Sequence, residues 1–191
     1  MQPAPKDLKK NIQFRKALLD ACGSSGGEDL RNDVIARCAE DPVFFFDSFI
    51  WTYAVKDSAD RPNVPFILYD FQADVVRKMD AALGKHSLLI EKSRDLGLSW
   101  VVTTMFLWRW IFRPLQSFLM ASRKESLVDE RGNPDCLFWK MRFALGMLPP
   151  WLRPPMELIE DRSMHLGNLV NGSSIDGEST QGNVGRGGRR T

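Results

Sequence analysis

The segment Glu91-Lys92-Ser93-Arg94-Asp95-Leu96-Gly97-Leu98-Ser99-Trp100 constrains this chain more than any other. It begins polar, contains one glycine, and lies between a short apolar run (residues 86–91) and a long one that continues to Phe112. A strand-length run, a Gly-bearing loop and an apolar helix in that order bring backbone N–H groups together at a helix N-terminus, where phosphate is held. The usual pattern is GxxxxGK[ST]. Aligning Gly97 and Ser99 with its second glycine and its hydroxyl residue puts Lys92 in place of the first glycine and Leu98 in place of the lysine. The cation that phosphate needs would then come from Lys92 and Arg94. Ser99 has the hydroxyl that would meet Mg²⁺, and Gly97 allows close backbone approach. Gly-x-Ser at such a junction also arises as a plain turn followed by an N-cap, so the pattern alone leaves both readings open.

The flanks read as alternating elements. Residues 69–83, 100–112 and 135–148 have helical texture; 86–91 and 116–121 are strand candidates. The alternation predicts a parallel α/β sheet. Beyond Pro155 the apolar pieces shorten to 156–159, 164–166 and 169–170. Gly167-Asn168 and Asn171-Gly172 are read as hairpin signals there. Before the alternation, residues 6–21 and 29–39 predict amphipathic helices. Asp41-Pro42 predicts a third, with Asp41 as N-cap and Pro42 in the first turn of the aromatic stretch Val43-Phe44-Phe45-Phe46. A polar, Pro-bearing stretch at 57–65 is the expected boundary between a helical region (1–60) and an α/β region (61–191). The end, 182–191, is rich in Gly and Arg.

Composition adds limits. With 191 residues, 43% hydrophobic and 26% charged, the chain can bury a proper core. A formal charge of +2 leaves any nucleic-acid contact to a local patch. Three cysteines without a CxxC pair predict reduced thiols of a cytoplasm rather than a disulfide framework or a zinc site. The N-terminus lacks an apolar signal segment. The apolar run 96–112 carries Ser99, Thr103, Thr104 and Arg109, and predicts a buried helix rather than a membrane span.

Lys92-Ser93-Arg94-Asp95-Leu96-Gly97-Leu98-Ser99 resembles, position by position, the deviant Walker A motif of phage terminase large subunits, whose lysine stands at the start of the loop. Asp41-Pro42-Val43-Phe44-Phe45-Phe46 resembles that family's N-terminal aromatic helix. Val64-Pro65-Phe66-Ile67-Leu68-Tyr69-Asp70-Phe71-Gln72 resembles its adenine-recognition segment, placed upstream of the loop as the family has it. Leu148-Pro149-Pro150-Trp151-Leu152, Val170-Asn171-Gly172-Ser173-Ser174-Ile175 and Gly185-Arg186-Gly187-Gly188-Arg189 resemble stretches that precede the family's Walker B strand.

The resemblance implies an additional-strand, RecA-like P-loop NTPase sheet behind a small helical N-terminal subdomain. It implies ATP and Mg²⁺ at residues 92–100, with Ser99 on the metal. Lys92 and Arg94 would act on phosphate, Gln72 on the adenine edge, and Arg186 as an arginine reaching a neighbouring subunit's ATP. It also implies a motor that forms a ring on the portal protein, works with a small terminase subunit on double-stranded DNA, and acts in the cytoplasm of a bacterial host without a membrane.

The family's Walker B strand and nuclease domain are not found in these 191 residues. Glu157-Leu158-Ile159-Glu160-Asp161 has too short an apolar run and reads as a strand edge. The expectation is therefore an incomplete sheet that binds nucleotide with little turnover. Two alternatives stand beside the terminase reading. One is another P-loop DNA translocase or helicase, against which Leu98 argues. The other is a non-catalytic DNA- or protein-binding module.

Overall fold

Asp7 starts the first helix by accepting the Lys10 N–H on its side chain at 3.0 Å. The computed structural model describes residues 2–53 and 63–181. Three helices come first: α1 (Leu8–Gly23), α2 (Glu28–Glu40) and α3 (Pro42–Phe49). Asp41 caps α3 as its spelling predicts, accepting from the Val43 and Phe44 N–H groups. Its Phe44, Phe45, Phe46 and Phe49 are all buried. The other end of α3 is capped from a distance. Arg15 of α1 donates to the carbonyls of Phe46, Asp47 and Ile50. Burial pulls its guanidinium down to about 9, although nearby Asp47 favours the charged form.

A short antiparallel ladder follows, β1 (Trp51–Tyr53) with β2 (Asn63–Pro65). Most of the polar stretch read as a boundary lies outside the described residues, and its described end is β2. Next come α4 (Asp70–Ala82), α5 (Leu98–Phe112), β3 (Ser117–Ser122), α6 (Glu125–Val128), α7 (Leu137–Met147), β4 (Ile159–Arg162), β5 (His165–Asn168) and β6 (Ser173–Ser179).

Helix α5 is the centre of the molecule. Trp108 Nε1 donates to the Cys38 carbonyl of α2 at 2.7 Å, and Trp110 Nε1 to the Leu166 carbonyl of β5 at 3.1 Å. The N-terminal helices and the sheet therefore hang on opposite sides of one helix. The buried apolar residues form a single cluster running from Cys22 to Ile175. Among the described residues no helix is long and apolar enough to cross a membrane.

The sheet is mixed, in the order β3-β6-β5-β4. The expected parallel sheet is met in part: β3 and β6 run parallel, while β4, β5 and β6 are antiparallel neighbours, so the sheet as a whole is not parallel. Connection length is the reason. Short turns join β4 to β5 and β5 to β6 and permit only antiparallel pairing, whereas the long crossover through α6 and α7 allows β6 to lie parallel to β3.

Asn171-Gly172 is a turn as read, with Gly172 at φ 72°. Gly167-Asn168, in contrast, lies inside β5, and the first turn is built around Met164 at φ 57°. Leu169 and Val170 are exposed in the second turn, and Met156–Leu158 is a 3₁₀ turn. Ile159–Arg162 is the outermost strand, in line with the reading of that segment as a strand edge.

Candidate functional site

The loop of residues 92–97 ends the connection 83–97 between α4 and α5, and both helices are held firmly. Arg109 of α5 donates to the Asp80 carbonyl and carboxylate of α4 at 2.8 and 2.7 Å. The stretch 86–91 before the loop differs from expectation. It pairs with no strand among the described residues. Leu88 is 41% and Leu89 94% exposed. A strand exists only with a neighbour, and β3 uses one edge for β6 and leaves the other without a described partner. Between that edge and the loop lies an open groove of ≈ 370 Å³, whose walls include Lys92, Leu98, Ser99, Leu119 and Ala121.

The loop turns through two left-handed residues, Asp95 at φ 63° and Gly97 at φ 66°. Asp tolerates that region better than most residues, and glycine enters it freely. Gly97 is needed on a second count, because a Cβ there would sit 3.2 Å from Gln72 Nε2. Helix α5 starts directly after it, with no side-chain cap. Its first intrahelical bond runs from the Val101 N–H to the Gly97 carbonyl at 3.1 Å. The N–H groups of Leu98, Ser99 and Trp100 thus have no partner within the helix, and the positive end of the helix dipole faces the loop.

Lys92, Ser93, Arg94, Asp95 and Ser99 are exposed. The side chains of Lys92, Arg94 and Ser99 make no hydrogen bond among the described residues. Leu98 packs on the core, and the half-buried Trp100 ring meets Phe143 edge-on at 5.9 Å. The site is therefore a cationic, exposed turn over an uncapped helix start.

No family model matches the chain, and no curated protein matches it. The reading of the loop rests on its own geometry and spelling.

Gln72 is near the loop as expected, but it is occupied. It is buried in the first turn of α4. Its Oε1 accepts the Tyr69 N–H at 3.0 Å, and its Nε2 donates to the Leu96 carbonyl at 3.0 Å. Beside it a small cleft of ≈ 140 Å³ is lined by Phe71, Gln72, Val75, Lys92, Leu96 and Leu98 among others. The structure adds two residues that sequence reasoning does not single out. Tyr69 and Phe71 are exposed, and their rings stack at 5.7 Å with planes 10° apart. Two large aromatics flanking the acidic start of an amphipathic helix were the available signal, since such rings are ordinarily buried. Arg186 lies outside the described residues. Among the described residues no group of three or more His, Cys, Asp or Glu side chains could hold a metal ion.

Proposed function

We propose that this chain is the nucleotide-binding part of a DNA-packaging motor of the terminase large-subunit kind, with ATP and Mg²⁺ held at residues 92–99. One observation carries the reading: the N-terminus of α5 is uncapped and faces a loop whose cations, Lys92 and Arg94, have no described partner. Three free N–H groups and the dipole suit the phosphate oxygens, and Lys92 supplies the point charge that Leu98 cannot.

Ser99 would hold Mg²⁺. A single hydroxyl is enough protein ligation for an ion that keeps several waters and takes its other ligands from phosphate. When bound, the ion neutralises charge on the phosphate oxygens. The residues of the chain bind and orient the phosphates. In this reading the complete motor hydrolyses ATP to drive double-stranded DNA through a portal, as a ring in which Arg186 reaches the next copy. The edge of β3 that pairs with no described strand, and the stretch 86–91, which pairs with none either, are where further strands of such a sheet would join.

The test is calorimetric titration with ATP·Mg²⁺. Replacing Lys92 by Ala removes a charge-assisted phosphate contact and is expected to cost about 1.5–3 kcal/mol, a roughly 10- to 100-fold loss of affinity. Equal affinity of Lys92→Ala and the native chain would remove Lys92 from the site. Absence of binding by the native chain would remove the site itself.

A further inference from the structure

The Gln72 amide has a fixed orientation. An N–H group, that of Tyr69, points at one of its atoms, which must be the oxygen; a carbonyl, that of Leu96, receives from the other, which must be the nitrogen. One of the oxygen's two lone pairs and one of the two N–H donors, the groups an adenine edge would use, are therefore engaged inside the protein. They are used at a place where exchange is costly, because Gln72 is 4% exposed and water cannot easily replace a lost partner. The same Nε2 is the nearest atom that a Cβ on Gly97 would meet.

We infer that Gln72 is a positioning residue for the phosphate loop rather than a reader of the base. Its amide ties the start of α4 to the Leu96 carbonyl and packs against Gly97. In doing so it sets the left-handed turn from which the Leu98, Ser99 and Trp100 N–H groups point outward. The inference rests on the reading of residues 92–99 as a phosphate site and deepens it. A residue that shapes the loop affects every polyphosphate alike, whereas a residue that reads adenine affects ATP alone.

The experiment compares inorganic tripolyphosphate, ATP and GTP, each with Mg²⁺, by calorimetry on the 191-residue chain. Two variants separate the contributions. Gln72→Glu keeps an acceptor for the Tyr69 N–H, and so the helix cap, but as a carboxylate cannot donate to Leu96. Gln72→Met is neutral and removes both bonds. Both are expected to weaken all three ligands by a common factor of about ten, the worth of one hydrogen bond, with the ATP-to-GTP ratio unchanged. Acidification toward pH 5 protonates the introduced carboxyl, whose pKa burial raises above about 4.3, and restores a donor to Leu96. Relative to the native chain at each pH, Gln72→Glu should then recover and Gln72→Met should not. A misfolded loop would not recover in this way.

Three outcomes overturn the inference. One is unchanged tripolyphosphate affinity with a collapsed preference for ATP over GTP, which makes Gln72 the base reader. Another is native affinity in Gln72→Met, which reduces the effect of Gln72→Glu to charge repulsion. The third is unchanged affinity for all three ligands in both variants. Failure of the native chain to bind even tripolyphosphate is distinct from these and overturns the phosphate-site reading itself.

Discussion

Gly177 shows how a single missing methyl group sets the position of two helices. It lies in β6, and a Cβ there would meet Val128 Cγ1 at 2.7 Å, Phe138 Cε2 at 2.8 Å and Met164 Sδ at 3.0 Å. Val128 and Phe138 are fully buried, and a ring in a packed core cannot move aside cheaply. Gly177→Ala should therefore destabilise the fold by about 1–3 kcal/mol through overpacking, read as a lower urea midpoint with an unchanged slope. A stabilised variant would show that α6 and α7 can retreat from the sheet. Nothing in the spelling Ile175-Asp176-Gly177-Glu178 marks the glycine as a packing requirement. Gly97 differs in this respect: its place before an apolar run announces a turn, while its contact with Gln72 depends on a helix far from it in sequence.

Among the elements, the Arg142–Asp129 ion pair ties the β4–β5 hairpin to α7, beside the bond from Trp110 of α5 to the Leu166 carbonyl. Arg142 of α7 clasps Asp129 at 2.5 and 3.0 Å and also reaches Asp161 of β4 at 2.8 Å. Asp129 accepts the Met164 N–H at the hairpin turn as well, and its side chain is 4% exposed. Burial alone would raise its carboxyl, but the Arg142 hydrogen bonds and the Met164 N–H more than offset this, and its pKa falls below the ordinary value. The sign follows from proton counting. In the window between the lowered folded pKa and the unfolded value of about 3.9, the unfolded chain binds more protons, so stability rises with pH. The contribution is complete above the unfolded value and is lost as pH falls through the folded one. Asp129→Ala leaves the part-buried Arg142 with only the exposed Asp161 carboxylate and the Arg162 carbonyl, and should cost about 3 kcal/mol at pH 7. Urea unfolding at pH 7 and near pH 2.5 measures this: the gap between variant and native chain should narrow in acid. A gap independent of pH would mean that Asp129 acts through packing and not through charge. The helices themselves were legible, since Asp41-Pro42 and the apolar spacing of α4 and α5 are local signals. The strand pairing was not: Gly167-Asn168 is a common turn spelling, yet the chain turns at Met164, where Asp129 offers the acceptor for its N–H.

At the scale of the whole molecule, one apolar stretch, residues 86–91, meets the core only through Ile90. Residues 86–91 have the composition of a buried strand, and that much is readable from His86-Ser87-Leu88-Leu89-Ile90-Glu91. Pairing is not readable there, because it belongs to two segments at once and no described strand reaches this one. The same division applies to the candidate site. The cationic loop, the start of α5 and the Tyr69–Gln72 cap are local, whereas the bond from Gln72 to the Leu96 carbonyl depends on how α4 packs beside the loop. The exposure of Leu89, at 94%, gives a sharp expectation. Leu89→Ser should change stability by no more than about 0.5 kcal/mol, as exposed substitutions do. Removing a leucine from a covered strand would instead cost about 2–5 kcal/mol. Chemical denaturation over a range of protein concentrations distinguishes the two. A small, concentration-independent change fits a stretch open to solvent, as in this structure. A large cost that grows with concentration would show that a second copy covers residues 86–91 in solution, and the open edge of β3 would then be the surface to examine for that contact.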